Sequence, residues 1–242
     1  MNITLVNTRF RFISMLSLAC LTSITHAINP VPGLWGGLLL GGTWEPSRSW
    51  SNITNTKTNT TTSVGLGYDI LVDFAAQLSY RFCEKYRVEG EILYNKNAYT
   101  YFRINDVTFH NYAASTGGRM LGATITGAGF VNGYYDFYTN RSKIVPYIGG
   151  GVGYAYVYNV VKFFYNNVEY EKTRTVNTVY KPAVQGIIGT TLFADDYMSF
   201  GMDLRYTTTS KWNYAPAYAT SSVSTNMQFI AFNVMFNGSF NA

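Results

Sequence analysis

Ile70-Leu-Val-Asp-Phe-Ala-Ala-Gln-Leu-Ser-Tyr-Arg-Phe82 decides the fold. One side of this stretch reads Ile70, Val72, Phe74, Ala76, Leu78, Tyr80, Phe82, all apolar or aromatic, and the other reads Leu71, Asp73, Ala75, Gln77, Ser79, Arg81. Period-two alternation of this kind puts successive side chains on opposite faces of an extended chain, so it specifies a strand with one apolar and one polar face. Thirteen residues is long against the five or six, roughly, of a globular strand. After Cys83-Glu84-Lys85 the alternation resumes, with Tyr86, Val88, Gly90, Ile92 and Tyr94 opposed by Arg87, Glu89, Glu91, Leu93 and Asn95. The three-residue connection makes the pair a hairpin.

The same design recurs outward from this hairpin. Met198, Phe200, Met202, Leu204 and Tyr206 alternate with Ser199, Gly201, Asp203, Arg205 and Thr207, and Ile230, Phe232, Val234, Phe236 and Phe240 share a face opposed by Asn233 and Asn237. Leu34–Trp44, Met120–Tyr138, Ile144–Tyr158 and Pro182–Phe193 bring the set to eight strands. The connections sort by length. Short turns fall at Cys83–Lys85, Thr139–Ser142 and Asp195–Tyr197; long polar loops fall at Glu45–Ser63, Lys96–Gly118, Asn159–Lys181 and Thr208–Thr225. A soluble sandwich has no reason to segregate its loops in this way, whereas an outer-membrane barrel has short periplasmic turns and long external loops. The reading is all-β: an eight-stranded antiparallel up-and-down transmembrane β-barrel with both ends of the chain at the short-turn side. The Asn/Thr-rich run from Ser51 to Ser63 reads as a solvated loop.

Composition supports this class. Charged residues make up 13% and aromatics 17% of 242 residues, with 22 Gly, against about 25% charged in ordinary soluble domains. That excludes disorder and collagen, and the mean hydropathy of -0.02 excludes a helical membrane bundle. Arg9 and Arg11 precede an apolar stretch from Ile13 to Ile24 and the ending Thr25-His26-Ala27, the pattern of a cleaved signal peptide. The expected organisation is therefore a signal peptide over 1–27 and a barrel over 28–242. Cleavage would leave 215 residues with 16 Lys+Arg against 13 Asp+Glu, a net charge of +3, with no basic runs, which gives nucleic-acid binding little support. Cys20 has no Leu three positions upstream to complete a lipoprotein signal, and Cys83 alone would remain, so no intramolecular disulfide is expected.

Asn132-Gly-Tyr-Tyr-Asp-Phe137, Val145-Pro-Tyr-Ile-Gly-Gly-Gly-Val-Gly-Tyr-Ala155, Gln185-Gly186 and the aromatic-ended final strand resemble the small eight-stranded outer-membrane barrels, the group of OmpA-like transmembrane domains and opacity-type surface antigens. The resemblance covers the chain after the leader. It implies residence in the outer membrane of a Gram-negative cell and contact with its lipids and lipopolysaccharide. It also implies handling by periplasmic chaperones and the barrel-assembly machinery, and a host or surface ligand for the loops. Family members often end on a Phe that the assembly machinery reads; here Asn241-Ala242 follow Phe240, and a peptidoglycan-binding domain after the barrel is not expected.

Eight tilted strands enclose a lumen just wide enough for side chains to fill. The polar face places Asp73, Gln77, Arg81, Arg87, Glu89, Glu91, Asp136, Asp203 and Arg205 there, and the expectation is a plug of ion pairs and hydrogen bonds, because an unpaired charge in so narrow a space costs several kcal/mol. Tyr80, Phe82, Tyr86, Tyr94, Tyr135, Phe137, Phe200 and Tyr206 are the expected aromatic girdles at the two interfaces. The leading functional reading is a structural or surface-antigen, adhesin-like role through the exposed loops, with a narrow porin or small-solute channel as the alternative. Lipid A-modifying barrel enzymes need a His beside a Ser or an acid; one His, His110, follows the leader, near Asp106 and Ser115, and a catalytic role is not expected. Neither a cofactor nor a metal site is expected: Gly149–Gly153 completes no phosphate-loop pattern and no Cys/His cluster exists.

Overall fold

The structure is a computed structural model that describes residues 29–54, 60–105, 107–111, 118–139, 142–166, 168–169, 175–214 and 223–241, with the side chains of 52, 175 and 214 set aside. The leader proposed for residues 1–27 lies outside the described residues. The strands are β1 (Gly33–Trp44), β2 (Arg48–Thr54), β3 (Thr61–Tyr68), β4 (Leu71–Arg81), β5 (Tyr86–Ile104), β6 (Val107–His110), β7 (Gly118–Asp136), β8 (Ile144–Tyr165), β9 (Val168–Glu169), β10 (Thr175–Phe193), β11 (Met198–Thr209), β12 (Trp212–Tyr214), β13 (Val223–Thr225) and β14 (Gln228–Ser239).

Eight of them close a ring. β1 pairs β4, β4 pairs β5, and the chain of antiparallel ladders continues through β7, β8, β10 and β11 to β14, which pairs back to β1. Closure satisfies the backbone N–H and C=O groups without water and leaves no edge, the condition for a sheet to sit in hydrocarbon. The outward face of the ring carries Leu38, Leu40, Val72, Phe74, Ile92, Val131, Val152, Ile188 and Phe232, all exposed, Ile92 to 75%. A continuous apolar belt of this extent is untenable in water. β4 has 11 residues, roughly 36 Å of strand at about 3.3 Å per residue, and a tilt of about 45° reduces that to about 25 Å, the height of an outer-membrane apolar band.

The short turns are held by local bonds. Phe82 N donates to Tyr86 O (3.0 Å) across Cys83–Lys85, and Asp195 Oδ1 accepts from Tyr197 N (2.8 Å) and Met198 N (2.7 Å). Both ends of the described chain meet there: Val31 N donates to Asp196 O (3.2 Å), and Phe240 N to Leu34 O (2.9 Å). The register of the last strand is settled with Phe236 opposite Leu38 and Phe200, and with Phe240 outward beyond the strand end.

The opposite end departs from the sequence reading. Four strands run past the belt: β5, β7 and β10 have 19 residues each and β8 has 22. The expected Glu45–Ser63 loop contains β2 and the start of β3, which pair with each other, and β3 pairs with the upper part of β5, Val64 opposite Ile104. Much of what reads as long loop is therefore wall. The cause lies in the residues: Ala98-Tyr-Thr-Tyr-Phe-Arg-Ile104 and Val160-Val-Lys-Phe-Phe-Tyr165 are β-branched and aromatic and keep strand geometry once a paired neighbour exists. Two-residue turns cap two of the extensions, with Asn105 and Asn166 at φ of 48°, the left-handed conformation that Asn tolerates in tight hairpins.

Candidate functional site: a charged lumen below an apolar chamber

Alternation along the ring strands turns all nine of the expected lumen residues inward, and each is buried. They form two layers. Nearest the short turns, Arg81 and Arg87 stand directly opposite each other on β4 and β5, a like-charged pair that would repel without a carboxylate between them. Asp136 supplies it: Arg81 Nη1 lies 2.8 Å from Asp136 Oδ2, and Arg87 Nε lies 3.4 Å from Asp136 Oδ1. Arg87 also approaches Glu89 Oε2 at 3.5 Å, and its guanidinium stacks 3.9 Å from the Tyr134 ring centre and 4.7 Å from that of Tyr147. Those aromatic faces stabilise a cation whose Nη2 has no hydrogen-bond partner.

The second layer centres on Arg205. It pairs with Glu91 through Nη1, while Nη2 reaches Asp203 Oδ2 at 2.9 Å and Nε donates to the same oxygen at 3.0 Å. Neutral donors add to these bonds, while Glu91 Oε1 has no hydrogen-bond partner. Asn132 Nδ2 donates to Glu91 Oε2 (2.7 Å) and Glu89 Oε1 (3.0 Å), Gln185 Nε2 to Glu91 Oε2 (3.0 Å), Tyr134 Oη to Glu89 Oε1 (2.7 Å) and Tyr147 Oη to Asp203 Oδ2 (3.1 Å). Asn233 Nδ2 donates to Asp203 Oδ1 at 3.0 Å. The Gln77 amide lies 2.6 Å from Asn237 Oδ1. Asp73 is in the same space, but no ion pair is formed by it among the described residues and its Oδ1 has no hydrogen-bond partner.

The glycine run completes this packing. A Cβ on Gly149 would run into the Tyr134 ring, and one on Gly151 would run into Asn132 Oδ1. The missing side chains on β8 are the space into which the donors to Glu89 and Glu91 fold.

Beside and above the Arg205 layer the interior mixes apolar side chains, among them Leu39, Leu93, Ile187, Met227, Phe229 and Ala231, with a buried polar chain that runs from Thr43 through Asn95 and Asn97 to Glu45. Beyond them, at the long-loop end, the extended strands enclose a recess of about 360 Å³ lined by, among others, Trp50, Leu66, Phe102, Val161, Phe163 and Trp212. Its charged lining residues, among the described ones, are Glu45 and Arg48, paired at 2.5 Å. Glu45 lies past the end of β1, where Asn97 Nδ2 donates to it at 3.2 Å. Burial pushes its carboxyl up to about 7, against the opposing pull of Arg48. Arg48 Nη1 donates to Thr225 Oγ1 (2.9 Å) and to Asn226 O, tying the β2–β3 hairpin to the approach of β14. This chamber is absent from the sequence reading. Its signals are the β-branched and aromatic runs 98–104 and 160–165 and the turn pairs Asn105-Asp106 and Asn166-Asn167.

Of the expected girdle, Tyr80, Phe82, Tyr86, Tyr94, Phe137, Phe200 and Tyr206 are exposed on the outer face and Tyr135 is half-buried. They pack edge to face, Tyr80 with Phe82 (5.1 Å), Tyr86 with Tyr135 (5.4 Å) and Tyr135 with Phe137 (5.0 Å). Trp44, Tyr154 and Tyr180, which the sequence pattern does not single out, join this outer aromatic set. His110 stands on β6 opposite Tyr101; Asp106 and Ser115 lie outside the described residues. Among the described residues no group of His, Cys, Asp and Glu could hold a metal ion, and Cys83 is a free thiol.

Closed ring, outward apolar belt and inward polar layers define the fold of a small outer-membrane β-barrel. The chain is similar to the outer membrane protein OprG of Pseudomonas aeruginosa, with 15% identity over 90% of this chain and 99% of that one and a TM-score of 0.56. Lower scores are found for Neisserial surface protein A (11% identity, 86% and 97% covered, TM-score 0.43) and for the attachment invasion locus protein Ail of Yersinia pestis (10% identity, 85% and 99% covered, TM-score 0.40). No family model matches the chain, and no curated protein does. At these identities the likeness establishes the fold, and the function has to come from the interior and the rim.

Proposed function

We propose that this protein is a non-conducting barrel of the Gram-negative outer membrane that acts through its external end, as a surface-exposed contact or envelope-stabilising protein. Export by a cleaved leader, assembly through periplasmic chaperones and the barrel-assembly machinery, and contact with lipopolysaccharide belong to the same reading. The observation that carries it is the Arg205–Glu91–Asp203 layer, whose side chains are at most 1% exposed and are bonded to opposite walls of the lumen. Opening a path would break several charge-assisted hydrogen bonds at once, each worth about 1.5–3 kcal/mol.

The test is planar-bilayer recording with the purified, folded chain. The expected trace is flat; stable single-channel steps would replace the closed barrel with the narrow-porin reading. Location is tested separately. A heat-dependent mobility shift on gels, and protease cleavage on intact cells confined to the long-loop end, are expected, whereas a periplasmic protein would give neither.

A further inference from the structure

The recess at the long-loop end has the size, lining and unused polar atoms of a ligand site. Its volume of about 360 Å³ falls within the roughly 300–1,000 Å³ of small-molecule pockets. Two polar atoms in its wall have no hydrogen-bond partner although both are buried: Arg48 Nε and Asn177 Oδ1. One is a donor and the other an acceptor, and leaving either unsatisfied costs about 1–3 kcal/mol. Above about pH 7, where the Glu45 carboxyl is ionised, Glu45 and Arg48 neutralise each other within one pair, so there the site offers no uncompensated charge to an ion, and an ion entering it would give up its hydration for none.

We propose that the chamber binds a small uncharged amphiphile, an alkyl or aryl body carrying a hydroxyl-type head. The body lies against Leu66, Phe102, Val161 and Phe163, while the head accepts from Arg48 Nε or donates to Asn177 Oδ1. Entry is from the long-loop end, since the charged layers lie below; the site therefore does not depend on whether the lumen conducts.

Two of the four tryptophans, Trp50 and Trp212, line the recess, while Trp44 faces outward and Trp35 lies at the short-turn end. The full barrel in lipid nanodiscs is titrated at about pH 8, where Glu45 is ionised, with 11-bromo-1-undecanol, a heavy-atom quencher with a neutral head. A variant lacking Trp35 and Trp44 (both to Phe) reports the chamber; one lacking Trp50 and Trp212 (both to Phe) reports partition into lipid. Saturable quenching is expected in the first and linear, non-saturating quenching in the second. Val161→Phe, which fills the recess, should weaken the saturable component at least tenfold, with Leu66→Phe as the substitute if the folded gel band is lost. Asn177→Leu should weaken the alcohol by roughly tenfold and leave 1-bromoundecane unchanged, and 11-bromoundecanoate should bind at least tenfold more weakly than the alcohol. Indistinguishable curves from the two reporters, or an unchanged curve in Val161→Phe, would overturn the site. Equal affinity for the carboxylate would overturn the neutral head.

Discussion

At the short-turn end of this interior three arginines meet five carboxyls within two layers, whereas at the long-loop end one Glu45–Arg48 pair stands in the wall of a recess lined by tryptophan, phenylalanine and valine. The same alternation builds both regions, since every second residue of a ring strand must point inward. They differ in what the interior is asked to exclude. The lower part lies within the hydrocarbon belt, where eight strands leave a width that side chains fill, and polar groups that bond across it staple opposite walls together. The upper part stands above the belt, where β2–β3 and the extended β5, β7, β8 and β10 enclose space that nothing in their own side chains occupies. The charged layers are a cross-link, and the chamber is a container.

The comparison breaks most readily at Arg205. Truncation to Ala leaves Glu91 and Asp203 facing each other's charge in a buried space, and losing one partner of such a cluster costs about 3–5 kcal/mol. Urea unfolding followed by tryptophan fluorescence should show a loss of that order. Arg48→Ala, at the rim, should cost less, about 1.5–3 kcal/mol for its charged hydrogen bonds. An Arg48 effect as large as that of Arg205 would mean that the chamber is as structural as the layers beneath it.

How much of this is legible in the sequence follows from the same contrast. Ile70–Tyr94 announces a hairpin because a two-faced strand needs one polar and one apolar side, and the lumen residues are the polar side. Every lumen acid and base is therefore visible in the sequence, but their partners are not: Arg205 is 114 residues from Glu91, and no local pattern encodes which of several carboxyls a ring closure delivers. Asp73 looks like Asp203 in sequence and differs only in having no arginine within bonding distance. The chamber is hidden for another reason. Above the membrane a strand no longer needs a lipid-facing row, so Tyr99–Ile104 and Val160–Tyr165 lose the clean alternation that marks the lower strands, and the segment reads as polar loop where paired wall stands.

A smaller effect separates the two regions by pH. Glu45, facing Arg48 and Tyr68, has its carboxyl raised from 4.5 to about 7 because burial outweighs the pairing. The folded protein then holds this proton more tightly than the unfolded chain does. The associated stability is fully present below about pH 4.5 and is lost as pH rises through about 7. Each tenfold gain in proton affinity is worth about 1.4 kcal/mol, so the difference between wild type and Glu45→Gln should change by up to about 3 kcal/mol between pH 8 and 5, with Glu45→Gln lacking the gain on acidification. A constant difference across that range would show that Glu45 is charged or neutral throughout.

The smallest effect belongs to Asp73. It lies opposite Gly41 on β1 and Asn95 on β5, inside the lumen, with Oδ1 unpartnered, and it adds to a surplus of carboxyls over arginines. Asp73→Asn keeps the volume and lowers the surplus charge, so the unfolding midpoint should stay where it is or rise, by no more than about 1 kcal/mol in stability. The decisive measurement is the pair of variants together. In the Asp73→Asn background, Arg205→Ala should cost less than it does alone, by about 0.5–3 kcal/mol, the range seen for groups that share a cluster, because one fewer negative charge then faces Glu91 and Asp203. If the two effects simply add, Asp73 is electrically separate from the Arg205 layer. If Asp73→Asn alone is strongly destabilising, the carboxyl has a partner that the folded geometry does not display, and the division of the interior into an ion-paired cross-link and one acid outside it fails.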